Sequence, residues 1–124
     1  MRSREEVYAK LSQIAVDEFS DVVVNTSILE GKLRIYLTDK SYLDVWLSAM
    51  RKGIYAYHWE RRMVDGKIYR HNNLPDKEAR KLKTFPKHFH DGSERNVTES
   101  AISDDRELAL REVLGFVKRT LIGD

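Results

Sequence analysis

Between Asp21 and His71 the chain meets a turn signal about every ten residues: Glu30-Gly31, Asp39-Lys40, Arg51-Lys52-Gly53 and Asp65-Gly66. That spacing leaves room for little except short strands joined by tight connections. The segments between the turns fit. Asp21 to Ile28 is rich in β-branched residues, and Leu33, Ile35 and Leu37 then alternate with Arg34, Tyr36 and Thr38. Tyr42, Asp44 and Trp46 alternate with Leu43, Val45 and Leu47. Residues 54–63 place Ile54, Ala56, His58 and Glu60 on one face, with Tyr55, Tyr57, Trp59 and Arg61 on the other. Asp65-Gly66 is a strong two-residue hairpin signal leading into a fifth strand, Lys67 to His71.

Helical patterns bracket this run. Ser3-x-x-Glu6 is a capping box, followed by Val7, Leu11, Ile14, Ala15 and Phe19 at helical spacing, which predicts a helix over residues 4–19. Asp104-x-x-Glu107 opens a second pattern with the stripe Leu110, Val113, Leu114, Val117 and Leu121, and Gly123 just beyond it. Between them, residues 76–84 read as a basic surface loop with one helical turn at Lys77–Lys81. Phe85–His90 reads as an extended segment with Phe85 and Phe89 turned to the core, and Asn96–Thr98 as a further short strand. The expected fold is α+β: one domain over residues 1–124, an antiparallel meander of five or six strands with the N- and C-terminal helices packed on one face. Leu11, Ile14, Ile35, Leu114 and Val117 should share its core, leaving the other face free to carry a site.

Charge marks where that site lies. Residues 51–95 carry twelve Lys/Arg against six Asp/Glu, whereas residues 1–50 carry six against eight and residues 96–124 four against six. A basic middle can steer a polyanion even though the net charge is only +2. All four histidines, His58, His71, His88 and His90, fall in the same block, beside Tyr55, Tyr57, Trp59 and Tyr69. The chain has no cysteine, which suits a reducing cytosol, and no apolar run long enough to span a membrane.

Three chemistries fit the histidine block. The imidazoles can be structural. They can bind a metal, with His88-x-His90 on one strand face and Glu60 or Asp91 completing the set. Or they can work without metal on a phosphodiester, one as general base and another as general acid, with Arg70 or Lys87 holding the phosphate. A two-residue loop at Asp65-Gly66 would set Glu60 opposite His71 and gather His58, Glu60 and His71. It would also put Arg70 on the face away from His71, so that His58 and Arg70 could meet only through a twist or a bulge. The basic run from Lys77 to Lys87 and the aromatic strand read as a solvated loop and as core unless they flank such a site.

Tyr57-His58-Trp59, the Asp-Gly turn, Tyr69-Arg70-His71-Asn72-Asn73-Leu74-Pro75 and Phe85-Pro86-Lys87-His88-Phe89-His90-Asp91-Gly92 together resemble the TumE family of toxin–antitoxin proteins, over about residues 31–120. His58, Arg70, Asn73, Pro75, Phe85, Pro86, His88, His90 and Gly92 match the family pattern. Asn72, Asp76 and Lys87 depart from it, replacing an Asp and two His. Those losses weaken a metal site more than a phosphate site. The resemblance implies a toxin partnered by a helix-turn-helix antitoxin.

The expected function is therefore a toxin-like cytoplasmic protein acting on RNA as a metal-independent ribonuclease. His58, His88, His90 and Arg70 form its catalytic pocket, and Lys81, Lys83, Lys87 and Asn73 are its RNA contacts. No metal or cofactor is expected, and a homodimer is compatible with the sequence. A non-catalytic module for nucleic acid or protein is the alternative, and a metal-dependent hydrolase the third reading.

Overall fold

The computed structural model describes residues 2–123. Helix α1 spans Arg4–Glu18 and is opened by the expected capping box: Ser3 Oγ accepts from the Glu6 amide at 3.1 Å, and Glu6 Oε1 from the Ser3 amide at 3.2 Å. Strands β1 (Val23–Leu29), β2 (Lys32–Leu37), β3 (Tyr42–Leu47) and β4 (Tyr55–Arg61) follow as antiparallel neighbours. Glu30 and Gly31 both have positive φ, as a two-residue hairpin loop requires. A single helical turn, α2 (Arg62–Asp65), leads to β5 (Lys67–Asn72), and a 3-10 turn (Lys77–Ala79) precedes β6 (His88–Gly92) and β7 (Val97–Glu99). Helix α3 (Arg106–Ile122) closes the chain. Its cap is Asp105, whose carboxylate accepts from the Leu108 amide at 3.0 Å, one residue later than the Asp104 expected from the spacing.

The seven strands lie in sequence order, β1 to β7, in one antiparallel meander. This is the expected α+β architecture with a further strand, because Val97–Glu99 pairs with β6. One face carries Leu33, Ile35, Leu37, Leu43, Val45, Leu47, Tyr55, Tyr57 and Trp59, all buried beneath the two helices. α1 packs against β1, β2 and α3. Phe116 of α3 meets Trp59, Tyr69 and Phe89 edge-on, which carries the cover across β4 to β6. Leu11, Ile14, Ile35, Leu114 and Val117 all belong to this core. Phe85 does not; it is 39% exposed.

The β4–β5 connection differs from the two-residue hairpin. Arg61 pairs with Lys67, so α2 and Gly66 lie between the strands. Gly66 serves as the αL cap of α2, and its amide donates to the Arg62 carbonyl at 3.2 Å. Asp65 holds the wider loop, accepting from Arg61 Nε at 3.0 Å and from the Lys67 amide at 3.1 Å. Glu60 consequently pairs with Ile68 and not with His71, a shift of three positions. An odd shift moves every β5 side chain to the other face. His71 goes under the helices with Tyr57, and Arg70 joins His58 on the open face.

Candidate functional site

Alternation and register together write a row across the open face: Arg34, Asp44, His58, Arg70 and His90 are successive partners on β2 to β6. The adjoining row runs Lys32, Trp46, Ala56, Asn72 and His88. Three of the four histidines and Arg70 therefore lie on neighbouring positions of one face, with neither twist nor bulge. The fourth, His71, is excluded. It stacks on Phe89 with ring centroids 4.2 Å apart, and its Nδ1 lies 2.8 Å from Ser100 Oγ. The grouping of His58 and Glu60 with His71 is thus overturned by the register.

His58 sits between two opposite partners. Its Nε2 is 3.1 Å from Glu60 Oε1, and its Nδ1 is 3.1 Å from Arg70 Nη1. A guanidinium can only donate, so Nδ1 is the acceptor and the ring proton is on Nε2, shared with Glu60. Burial lowers the His58 pKa, the Glu60 bond opposes the shift, and Arg70 adds to it. The imidazole is neutral at pH 7, with its one lone pair aimed at Arg70. Glu60 is itself fixed by the Arg62 amide at 2.9 Å.

Arg70 carries a second partner that sequence reasoning missed. Both of its terminal nitrogens donate to the Glu94 carboxylate, one of them to Oε2 at 3.2 Å. That bond holds Glu94 below the usual carboxylate range, against its own partial burial. Glu94 lies in the β6–β7 turn, and no spacing in Asp91-Gly92-Ser93-Glu94 marks it. Its carboxylate occupies the guanidinium fork as a phosphate would. Farther along the row, Arg34 grips Asp44 with two bonds of 2.8 and 2.9 Å, and Lys32 approaches the same carboxylate at 3.3 Å. The face is consequently balanced rather than basic. Beside His58 it dips into a depression of about 330 Å³ lined by Glu30, Lys32, Asp44, Trp46 and Ala56.

His88 and His90 are on this face but sealed, at 0% and 2% exposure. The loop from Leu74 to Lys87 folds across β7: the Thr84 amide donates to Glu99 at 3.1 Å, and the Ser100 amide to Thr84 Oγ1 at 3.1 Å. Nδ1 of His88 is 2.8 Å from the Pro86 carbonyl and Nδ1 of His90 is 2.9 Å from the Glu94 carbonyl. Both Nε2 atoms are buried without a hydrogen-bond partner among the described residues. Leaving such an atom unsatisfied costs about 1–3 kcal/mol. Burial also lowers the His90 pKa, offset in part by the Glu94 carbonyl.

The expected RNA contacts are dispersed. Lys81 and Lys83 are exposed on the loop. Lys87 is on the other side of β6 from Arg70, bonded to the Ile102 carbonyl and 3.4 Å from Asp104. Asn73 is a backbone clip, accepting from the Tyr55 amide at 2.9 Å and donating to the Gly53 carbonyl at 2.7 Å. Among the described residues no group of three His, Cys, Asp or Glu side chains is placed to hold a metal ion, and no helix is long and apolar enough to cross a membrane.

A family model described as Toxin TumE matches residues 4–121, nearly the whole chain and well beyond the quoted motifs. No curated protein and no solved structure matches it.

Proposed function

This chain belongs to the TumE toxin family, and from that membership we propose that it acts on RNA as a metal-independent ribonuclease held in check by a cognate helix-turn-helix antitoxin. The observation that carries the reading is the chain of contacts Glu60–His58–Arg70–Glu94 on an uncovered sheet face. Glu60 fixes the His58 tautomer, and Arg70 offers a bidentate site now filled by a carboxylate. A phosphodiester replacing Glu94 on Arg70 would draw the guanidinium off His58 Nδ1 and free that lone pair. Nδ1 then takes the proton of a ribose 2′-hydroxyl as its oxygen attacks phosphorus, and Arg70 holds the charge that develops on the phosphoryl oxygens. The P–O5′ bond breaks, and solvent protonates the departing oxygen. Because His88 and His90 are closed to solvent, the reading gives the reacting roles to His58 and Arg70 and leaves the buried pair in support behind them.

The test is cleavage of a short fluorescent single-stranded RNA by purified protein in the presence of a chelator, with growth arrest on expression without the partner. Wild type should cleave and arrest, and His58→Ala and Arg70→Ala should do neither. A second reading, a non-catalytic module, draws on the pairing of Arg34, Arg70 and Lys32 with carboxylates. RNA binding without cleavage, unaffected by His58→Ala, would select it.

A further inference from the structure

We infer that His88 and His90, with Asp76 from the overlying loop, form a binding site for one divalent cation of the zinc class. The inference does not rest on the ribonuclease reading. Alternation along β6 turns both rings to the same face, and their centroids are 5.1 Å apart. A carbonyl oxygen can only accept, so the bonds to Pro86 and Glu94 place the ring proton on Nδ1 in both residues. The lone pairs are then on Nε2, the two atoms that are buried and unpartnered. An Nδ1–H tied to a backbone carbonyl is the support that orients a histidine for metal ligation through Nε2.

Asp76 adds the third element. Its Oδ2 lies 3.3 Å from His88 Nε2, too poorly aligned for a hydrogen bond. A carboxylate oxygen facing an imidazole lone pair is a repulsive contact unless a positive charge lies between them. Asp76 precedes the 3-10 turn but makes no capping bond, so its carboxylate is available to close on an ion. The ring spacing agrees with this. Imidazoles bound at about 2.0–2.1 Å to one tetrahedral ion have centroids about 5.2 Å apart. Two imidazole nitrogens and a carboxylate oxygen suit Zn²⁺ and leave a fourth position for water. Among the described residues the three donors do not yet converge on one point; Asp76, on its loop with a side chain 40% exposed, is the one of the three with room to adjust. The ion would tie the Leu74–Lys87 loop to β6, behind Arg70.

The experiment uses the 124-residue chain without a histidine tag, stripped with chelator and titrated with ZnCl₂ by calorimetry and thermal melting. The expected result is one equivalent bound, with a melting temperature that rises as zinc exceeds the Kd. His90→Ala should abolish binding, and Asp76→Asn, isosteric and at a half-exposed side chain, should weaken it at least about tenfold. His58→Ala should bind as wild type does. Absence of binding at one equivalent, or affinity unchanged in Asp76→Asn, would overturn the inference and mean that a proton or water fills the gap. Loss of RNA cleavage on stripping, with the site intact, would instead count only against the metal-independent reading.

Discussion

Nη1 of Arg70 donates to Nδ1 of His58 at 3.1 Å, between directly paired positions of β5 and β4. Burial lowers the basicity of His58, and Arg70, the proposed phosphate clamp, lowers it further. His58→Ala and Arg70→Ala should each slow cleavage of a short RNA by about 10²–10⁴-fold. The pH profile separates Glu60 from them. The acid limb of kcat/KM for wild type should lie below the ordinary histidine value. Glu60→Gln, which removes the carboxylate that raises the pKa, should move that limb lower still. A limb unmoved by Glu60→Gln would show that His58 is not the titrating group.

Glu94→Gln should strengthen RNA binding, not weaken it, because the mutation releases Arg70 from its internal carboxylate. Arg70→Ala should weaken binding and flatten the salt dependence by about one unit of slope, since one phosphate contact, and with it one released counterion, is lost. Binding measured by anisotropy across a salt series checks both. Affinity unchanged in Glu94→Gln, or a slope unchanged in Arg70→Ala, would mean that Arg70 does not meet the phosphate.

Leu114 is fully buried between α3 and the sheet. Leu114→Ala should cost about 2–5 kcal/mol in urea unfolding, the range for truncating an enclosed leucine.

His71 gives the fold an acid sensitivity separate from the site. Burial, with Lys87 nearby, lowers its pKa from 6.5 to about 4. Between those values the unfolded chain holds more protons, so stability falls as pH drops from 6.5 and the loss is complete below about 4. Above 6.5 this term vanishes. The difference in stability between wild type and His71→Phe should change across that window by on the order of 3 kcal/mol. Denaturation curves at pH 7.5, 5.5 and 4 would show it, and a difference that stays constant would exclude His71 as the cause.

The architecture was legible in the sequence because strand alternation and helix stripes agreed on one buried face, where Ile35 joins Leu11, Ile14, Leu114 and Val117 in one core as the patterns required. The grouping of His58 with Arg70 was legible only as a family pattern. Asp-Gly serves a two-residue hairpin and the end of a helical turn equally well, and only the paired bonds of Asp65 to Arg61 and Lys67 decide between them. The burial of His88 and His90 left no mark either, since H-x-H reads the same on an open strand as under a loop. Glu94 was invisible because its importance comes entirely from where the β6–β7 turn places it.

The helical turn between β4 and β5 has a bearing on how such a protein can diverge. Met63 there is 98% exposed and Val64 43%, so those two positions are free to drift while Asp65 and Gly66 are held by their bonds and backbone. The length of the loop is not free. Deleting or inserting one residue between Arg61 and Lys67 would either be absorbed as a distortion of the loop or exchange Arg70 with His71, burying a guanidinium beneath α3 and exposing an imidazole. A relative with a single-residue gap here should therefore keep this chemistry only where the loop absorbs the change and leaves Arg70 paired with His58.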